Sequence, residues 1–189
     1  LIIESEDDFG KITSSRNSGV IHAGLYYPEN SLKAKFCVRG NRLLYDYCNK
    51  NFIPHKNTQK LLIATSNEQI KIIDDIKNQA QKNNVEKITK ISKDKVKEIE
   101  PLIKCEEALL VESSGIIDAI SFMRSLLGKV EDMGGMISYN SFLKRIDSVG
   151  ENFKIFIEGD NETTIQSKEI INSAGLFATD VAKKIDILD

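Results

Sequence analysis

A mixed α/β (α+β) fold is predicted by three features of this 189-residue sequence. A strand candidate at 60–65 runs directly into a helical pattern, a second strand at 108–111 leads to a capped helix at 119–133, and alternating apolar and polar residues from 142 to 167 read as an antiparallel meander. Composition agrees with a packed chain: 41% hydrophobic and 29% charged residues are close to ordinary soluble usage. The length suits about one or two domains, and without repeats or a Pro-rich linker these must be interleaved rather than strung together.

Several function classes are disfavoured at once. With 26 Lys+Arg against 28 Asp+Glu the net charge is −2, so no global positive field attracts a phosphate backbone and no nucleic-acid partner is expected. Apolar runs such as Leu61–Ala64 fall far short of the roughly 20 residues that span a bilayer. No secretory signal is read, so the expected location is cytoplasmic, with at most peripheral contact on the inner face of a membrane. Cys37, Cys48 and Cys105 form no CxxC pair, which fits a reducing compartment, argues against a cysteine-bound metal, and makes all three small buried hydrophobes.

In chain order, Leu1-Ile2-Ile3-Glu4 reads as the end of a buried strand, and 5–30, rich in Ser, Gly and Asn, as a long loop with short extended pieces. Ser31 can cap a helix over 32–49, in which Gly40 either weakens the helix or permits a close approach. Ser66 with Gln69 forms a capping box for a helix to about residue 82. The Lys-rich stretch 82–97 reads as a solvated face, and Ser92–Glu100 as a short helix stopped by Pro101. Asp118 caps the helix 119–133, Gly134-Gly135 ends it, and Met136–Tyr139 is a short strand. The meander turns around Gly159-Asp160-Asn161, and Ile170–Ser173 is a last buried strand entering a turn at Ala174-Gly175.

Chemistry concentrates in Thr13–Gly24, where hydroxyls, one guanidinium, one amide, one imidazole and two glycines crowd together. Backbone N–H groups near Gly19 and Gly24, with hydroxyls and Arg16, suit an anionic ligand. On residue types alone, a surface loop that satisfies its own turns is an equal reading.

The run Ser15-Arg16-Asn17-Ser18-Gly19-Val20-Ile21-His22-Ala23-Gly24, followed by Tyr26-Tyr27-Pro28 and Ser31-Leu32-Lys33-Ala34, resembles the L-2-hydroxyglutarate oxidase/dehydrogenase family of D-amino-acid-oxidase-like FAD enzymes. Leu43-Leu44-Tyr45, Lys60–Thr65, Glu100-Pro101, Gly115–Asp118 and Asn172–Leu176 extend the resemblance over nearly the whole chain. It implies an incomplete Rossmann-like FAD domain, 1–52 with 114–189, interleaved with part of an antiparallel-sheet substrate domain, 53–113. It also implies an internal stretch of a longer protein, lacking the GxGxxG turn that stands roughly 20 positions before the ribose-binding acid. Such a stretch is expected to bind FAD poorly by itself.

By this resemblance Glu4 is the ribose-binding acid, and Ser15, Arg16, Asn17, Ser18 and Gly19 run beside the flavin pyrophosphate and ribityl chain. Ala174 and Gly175 give a second backbone approach that a side chain would obstruct. For Glu4 and the 174–175 turn, a solvated strand end and an ordinary turn remain open. His22 is the candidate catalytic base for a 2-hydroxy acid, since imidazole titrates near working pH, although a lone His is more often structural. Tyr27, Lys33 and Lys60 are candidate substrate-binding residues, with Arg16, Arg39 and Arg42 as further cations. Gln59 stands where a glycine is expected, which leaves the aim of Lys60 open. Tyr26 with Tyr27 can line a pocket or simply pack, and His55 reads as a packing histidine. No metal site is expected. Electrons would pass to oxygen or a quinone. The same resemblance leaves an amine or amino-acid oxidase and a glycerol-3-phosphate dehydrogenase open, and a non-catalytic nucleotide- or partner-binding module is the reading from another class.

Overall fold

The computed structural model describes residues 1–159 and 161–186. In chain order it contains β1 (Ile2–Ile3), a 3-10 turn (Thr13–Ser15), β2 (Val20–Ile21), α1 (Leu32–Lys50), β3 (His55–Lys56), β4 (Lys60–Ala64), α2 (Asn67–Lys82), β5 (Ile88–Ser92) and α3 (Lys93–Ile99). There follow β6 (Glu107–Val111), β7 (Gly115–Ile117), α4 (Ala119–Asp132), β8 (Ile137–Ser138), β9 (Phe142–Val149), β10 (Asn152–Glu158), β11 (Thr163–Ser167), a second 3-10 turn (Gly175–Phe177) and α5 (Ala178–Ala182). Strands and helices mix as the sequence predicts. Two compact units form, one from 1–17 with 123–189 and the other from 18–122. Residues 18–52, grouped in the sequence reading with 1–17, thus pack in the same unit as 53–113.

In the 18–122 unit, β4 and β5 flank β6 in an antiparallel sheet with Leu62 opposite Leu109 and Lys90 opposite the same residue on the other side. Alternation along β6 turns Ala108 and Leu109 into opposite faces, both fully covered. α2 lies on one face because Ile73 and Ala80, seven residues apart, share a helical stripe. Ile73 joins Ala64 and Leu109 in one cluster, while Ala80 joins Ala23, Leu25, Val85 and Val111 in another. Each such aliphatic side chain removed from water contributes about 1.5–3 kcal/mol. A second antiparallel sheet has β7 between β2 and β3. Gly115 sits at its centre because a Cβ there would run into the Tyr45 hydroxyl and the Lys56 carbonyl.

In the other unit, β1 pairs in parallel with β8, Ile2 opposite Ile137. β9, β10 and β11 form the expected meander, whose Ile146, Ile155 and Ile157 make a core joined by Ile3, Phe153, Ile165 and Ile170. Of the expected meander turn, Asp160 lies outside the described residues.

Local departures have identifiable causes. Ile170–Ser173 is not a buried strand: Ile171 is 85% exposed, and among the described residues no strand supplies a backbone ladder there. The Leu1–Glu4 strand is short, with Leu1 and Ile2 exposed. The Lys-rich stretch hides β5, whose Lys90 stays at the surface by pairing with Asp74 and Glu107, each at 2.8 Å. Ser66 does not cap α2 with its side chain; instead Gln69 Oε1 accepts from the Thr65 N–H at 2.8 Å and hydroxyl at 2.9 Å. Of the cysteines only Cys48 is buried, Cys37 and Cys105 being half-buried. The expected caps of α1 and α4 form, through Ser31 Oγ and the Asp118 carboxylate.

Candidate active site

The loop from Ser18 to Ser31 lies in the 18–122 unit and is fixed by alternation at its start. Ile21, Ala23 and Leu25 are at most 3% exposed, so His22, between two inward residues, is turned out and exposed. Its backbone is pinned. Asn41, buried on α1, donates its amide to the carbonyls of His22 (3.0 Å) and Ser113 (2.9 Å). Downstream, Asn83 donates to the carbonyls of Gly24 (3.3 Å) and Tyr27 (2.8 Å), and Gln79 donates to Tyr27 as well (3.0 Å). Buried carbonyls without partners would each cost about 1–3 kcal/mol, so these amides decide the path of the loop.

Two cations, Lys33 from α1 and Lys60 from β4, lie against the tyrosines of that loop. Lys33 Nζ lies 4.9 Å from the Tyr27 ring centre and Lys60 Nζ lies 5.2 Å from that of Tyr26. Both lysines act electrostatically on the same thiol, Cys37, which burial pushes up and which the Tyr27 hydroxyl and the two positive charges pull down. The Tyr27 phenol is pushed up by burial and by its contact with Cys37. The thiol itself lies 3.6 Å from the His22 carbonyl, so a relay of polar contacts runs from Tyr27 through Cys37 to the backbone of His22. Gln59, just before Lys60, has φ +62, the left-handed conformation that a glycine would take more easily. The Gln59 N–H donates to the Ser114 carbonyl at 2.9 Å, which holds that turn.

In the other unit, Glu4 follows the last residue of the parallel strand β1 and is half-buried. Its Oε1 accepts from the Glu6 N–H (3.0 Å) and the Ser5 hydroxyl (3.3 Å), and among the described residues Oε2 has no hydrogen-bond donor. Glu4, Asp8 and Glu131 act on the Tyr139 phenol, which burial first and these charges second push up. Ser15, Arg16 and Asn17 form one turn that is partly self-satisfied: Asn17 donates to the Ser14 carbonyl (2.6 Å) and the Arg16 N–H to that of Thr13 (3.1 Å). Ala174 N–H donates to the Asn172 side chain at 3.2 Å, and Gly175 has φ +55 with open space where a Cβ would stand. Conformation, rather than a steric obstruction within this unit, therefore calls for glycine at 175.

The structure thus brings Tyr27, Lys33 and Lys60 together around Cys37 and the His22 backbone. Ser18 and Gly19 belong to this unit, while Glu4, Ser15, Arg16, Asn17, Ala174 and Gly175 belong to the other. Arg39 and Arg42 line a separate cavity. His55 packs, its Nδ1 2.8 Å from the Ile53 carbonyl and its ring edge-on to Tyr45. Asn41 and Asn83 escaped the sequence reading. The signal for Asn41 was its place in the stripe Ala34, Asn41, Cys48, spaced by sevens, which puts an amide on a buried face.

This combination of a parallel β1·β8 pair, a meander and a helix-covered antiparallel sheet is the fold of FAD-dependent oxidoreductases. The chain belongs to the FAD dependent oxidoreductase (DAO) family, whose profile matches residues 1–188. It is 35% identical over its full length to L-2-hydroxyglutarate dehydrogenase, mitochondrial, of Arabidopsis thaliana, and 29% identical over 96% of its length to the Homo sapiens protein of the same name. The chain spans less than half the length of these curated relatives, 45% and 41% respectively. Among solved structures it is similar to the L-alpha-glycerophosphate oxidase of Mycoplasma pneumoniae with FAD bound (TM-score 0.87, 26% identity, covering 97% of this chain and 49% of that one). The glycine oxidase of Geobacillus kaustophilus shares the fold at 15% identity (TM-score 0.82, covering 97% of this chain and 50% of that one).

Proposed function

We propose that the protein oxidises L-2-hydroxyglutarate or a closely related 2-hydroxy acid to the 2-oxo acid, with FAD as hydride acceptor and oxygen or a quinone as the final acceptor. The observation that carries this reading is the pairing of Lys33 and Lys60 around Cys37, whose thiol lies against the carbonyl of His22. Two cations match a substrate with two carboxylates, and charge-assisted bonds are about twice as strong as neutral ones. The 35% identity to a relative named for this substrate supports the same choice.

The residues of the 1–17 and 123–189 unit fit the cofactor. Glu4 Oε2, without a donor among the described residues, stands at the carboxyl end of a parallel strand, where a ribose diol is bound in dinucleotide folds. Arg16 is exposed and carries a charge suited to pyrophosphate, and Ser15, Asn17, Ala174 and Gly175 offer hydroxyl, amide and backbone groups. Ser18 and Gly19 carry the same expectation in their own unit. When bound, FAD supplies a two-electron sink for the hydride from the substrate α-carbon.

Proton transfer falls to His22, whose exposed imidazole offers a nitrogen that can accept a proton. In this scheme the imidazole accepts the hydroxyl proton as the C–H electron pair leaves, so that the alcohol carbon becomes a carbonyl and one proton and one hydride are accounted for. Asn41 holds the His22 backbone, and Lys33 and Lys60 orient the carboxylates, with Tyr27 as wall. The test is anaerobic reduction of the flavin-loaded full-length protein by L-2-hydroxyglutarate, glycine and glycerol 3-phosphate in parallel. Bleaching by the first alone supports the proposal; bleaching by glycerol 3-phosphate or glycine instead replaces it with the corresponding oxidase.

A further inference from the structure

Two lysines stand on one face of the sheet formed by β4, β6 and β5, and the fold holds them in different ways. Lys60 of β4 lies opposite Val111 of β6, and Lys90 of β5 lies opposite Leu109, two residues on that strand and therefore on the same side. Lys90 is neutralised by Asp74 and Glu107, each at 2.8 Å. Among the described residues Lys60 has no carboxylate partner. Its ammonium lies 5.2 Å from the centre of the Tyr26 ring instead. Lys33 is held in the same manner, 4.9 Å from the centre of the Tyr27 ring.

The kind of partner decides what the lysine can still do. A carboxylate orients an ammonium and cancels its charge, so an incoming anion has to displace it. A ring face orients the ammonium through its quadrupole and leaves the positive charge in place. Lysine needs such a guide because its four-carbon stem is flexible. Lys60 is half-buried on the face it shares with Leu62 and Val111, which leaves the end of its side chain to be directed. Tyr26 is 54% exposed, so burial does not account for an aromatic ring at that position.

We infer that Tyr26 is a positioning residue: its ring face holds the Lys60 ammonium, with its charge intact, where it receives one carboxylate of a dicarboxylate substrate. This rests on the proposed function and deepens it, since it assigns the aim of Lys60 to a residue that touches neither the reacting carbon nor the flavin. Tyr27 stands in the same relation to Lys33, but its hydroxyl also meets Cys37, so Tyr26 gives the cleaner test.

Isothermal titration of the flavin-loaded full-length protein with 2-oxoglutarate, the 2-oxo acid that the proposed reaction forms, tests this on Tyr26→Leu, Tyr26→Phe, Lys60→Gln and Tyr26→Leu/Lys60→Gln. Tyr26→Leu should weaken binding about two- to fivefold, the worth of an exposed cation–ring contact. Tyr26→Phe keeps the ring face and should bind as the parent does. In the Lys60→Gln background Tyr26→Leu should add no further loss, because the ring then has no cation to direct. An equal loss in the Phe and Leu variants would assign the effect to the hydroxyl, and an undiminished Leu effect beside Lys60→Gln would assign it to packing. Either result overturns the inference, as does parent-like binding by Tyr26→Leu, while a loss in Lys60→Gln leaves the proposed function standing. No binding by the parent, or parent-like binding by Lys60→Gln, contradicts the proposed function and this inference with it.

Discussion

Asn41 and His22 are joined through the backbone: the buried amide of one donates at 3.0 Å to the carbonyl of the other, and at 2.9 Å to the carbonyl of Ser113. One side chain thereby ties the loop bearing His22 to the start of β7. Asn41→Leu keeps the volume and leaves both carbonyls without this donor. Expected is a loss of about 2–3 kcal/mol in urea unfolding. A loss below about 0.5 kcal/mol would mean that the carbonyls find other partners.

Two glycines of the 18–122 unit should respond in opposite directions. A Cβ at Gly40, in the middle of α1, meets no atom within 4 Å, so Gly40→Ala gains helix propensity at no steric cost. It should stabilise by about 1 kcal/mol. Gly115→Ala would collide with Tyr45 and the Lys56 carbonyl and should destabilise by about 2 kcal/mol or more. Thermal melts of the two variants check both signs.

Gln59 adopts φ +62 without being glycine. The left-handed conformation costs an L-residue about 1–2 kcal/mol, part of which a glycine loses again through the greater freedom of its unfolded chain. Gln59→Gly should therefore stabilise by up to about 1 kcal/mol, read as a rise in the urea midpoint at unchanged slope. A fall in the midpoint would show that the Gln59 side chain contributes more than its backbone costs.

Burial, the largest influence on Cys37, raises its thiol above the ordinary value of 9.0. The folded protein thus holds this proton more tightly than the unfolded chain. The stability it contributes is complete below the unfolded value and is lost as pH climbs from there through the folded value. Stability should decline above pH 9.0, and Cys37→Ala should lessen that decline without removing it, since burial raises Cys48 in the same direction. Iodoacetamide should label Cys37 at neutral pH more slowly than it labels glutathione; labelling at the faster rate would contradict the raised value.

Regular elements were legible because local chemistry decided them: Ser31 and Asp118 as caps, the alternation of 142–158, and the apolar stripe of α2 all read directly from the chain. β5 was not, because Lys90 in a strand looks like a charged surface until Asp74 and Glu107 are brought alongside by folding. Ile170–Ser173 misled for the opposite reason, an apolar pair that the described fold leaves half uncovered. At the candidate site, Lys33, Lys60 and Tyr27 could be named from residue type and resemblance. Their meeting around Cys37 could not, since Lys33 and Lys60 stand 27 positions apart in the chain. Asn41 and Asn83 act only by hydrogen bonds to distant backbone, a role with no local signature.

The central claim is that Lys33 and Lys60 receive a 2-hydroxy acid with two carboxylates. Steady-state kinetics of the flavin-loaded full-length protein and of Lys33→Gln/Lys60→Gln should be compared on L-2-hydroxyglutarate and on a 2-hydroxy monocarboxylate of similar length. Loss of two charge-assisted contacts, about 1.5–3 kcal/mol each, should lower kcat/KM for the dicarboxylate by at least a hundredfold, mostly through KM, and change the monocarboxylate little. Equal losses on both substrates, or none on either, would contradict it.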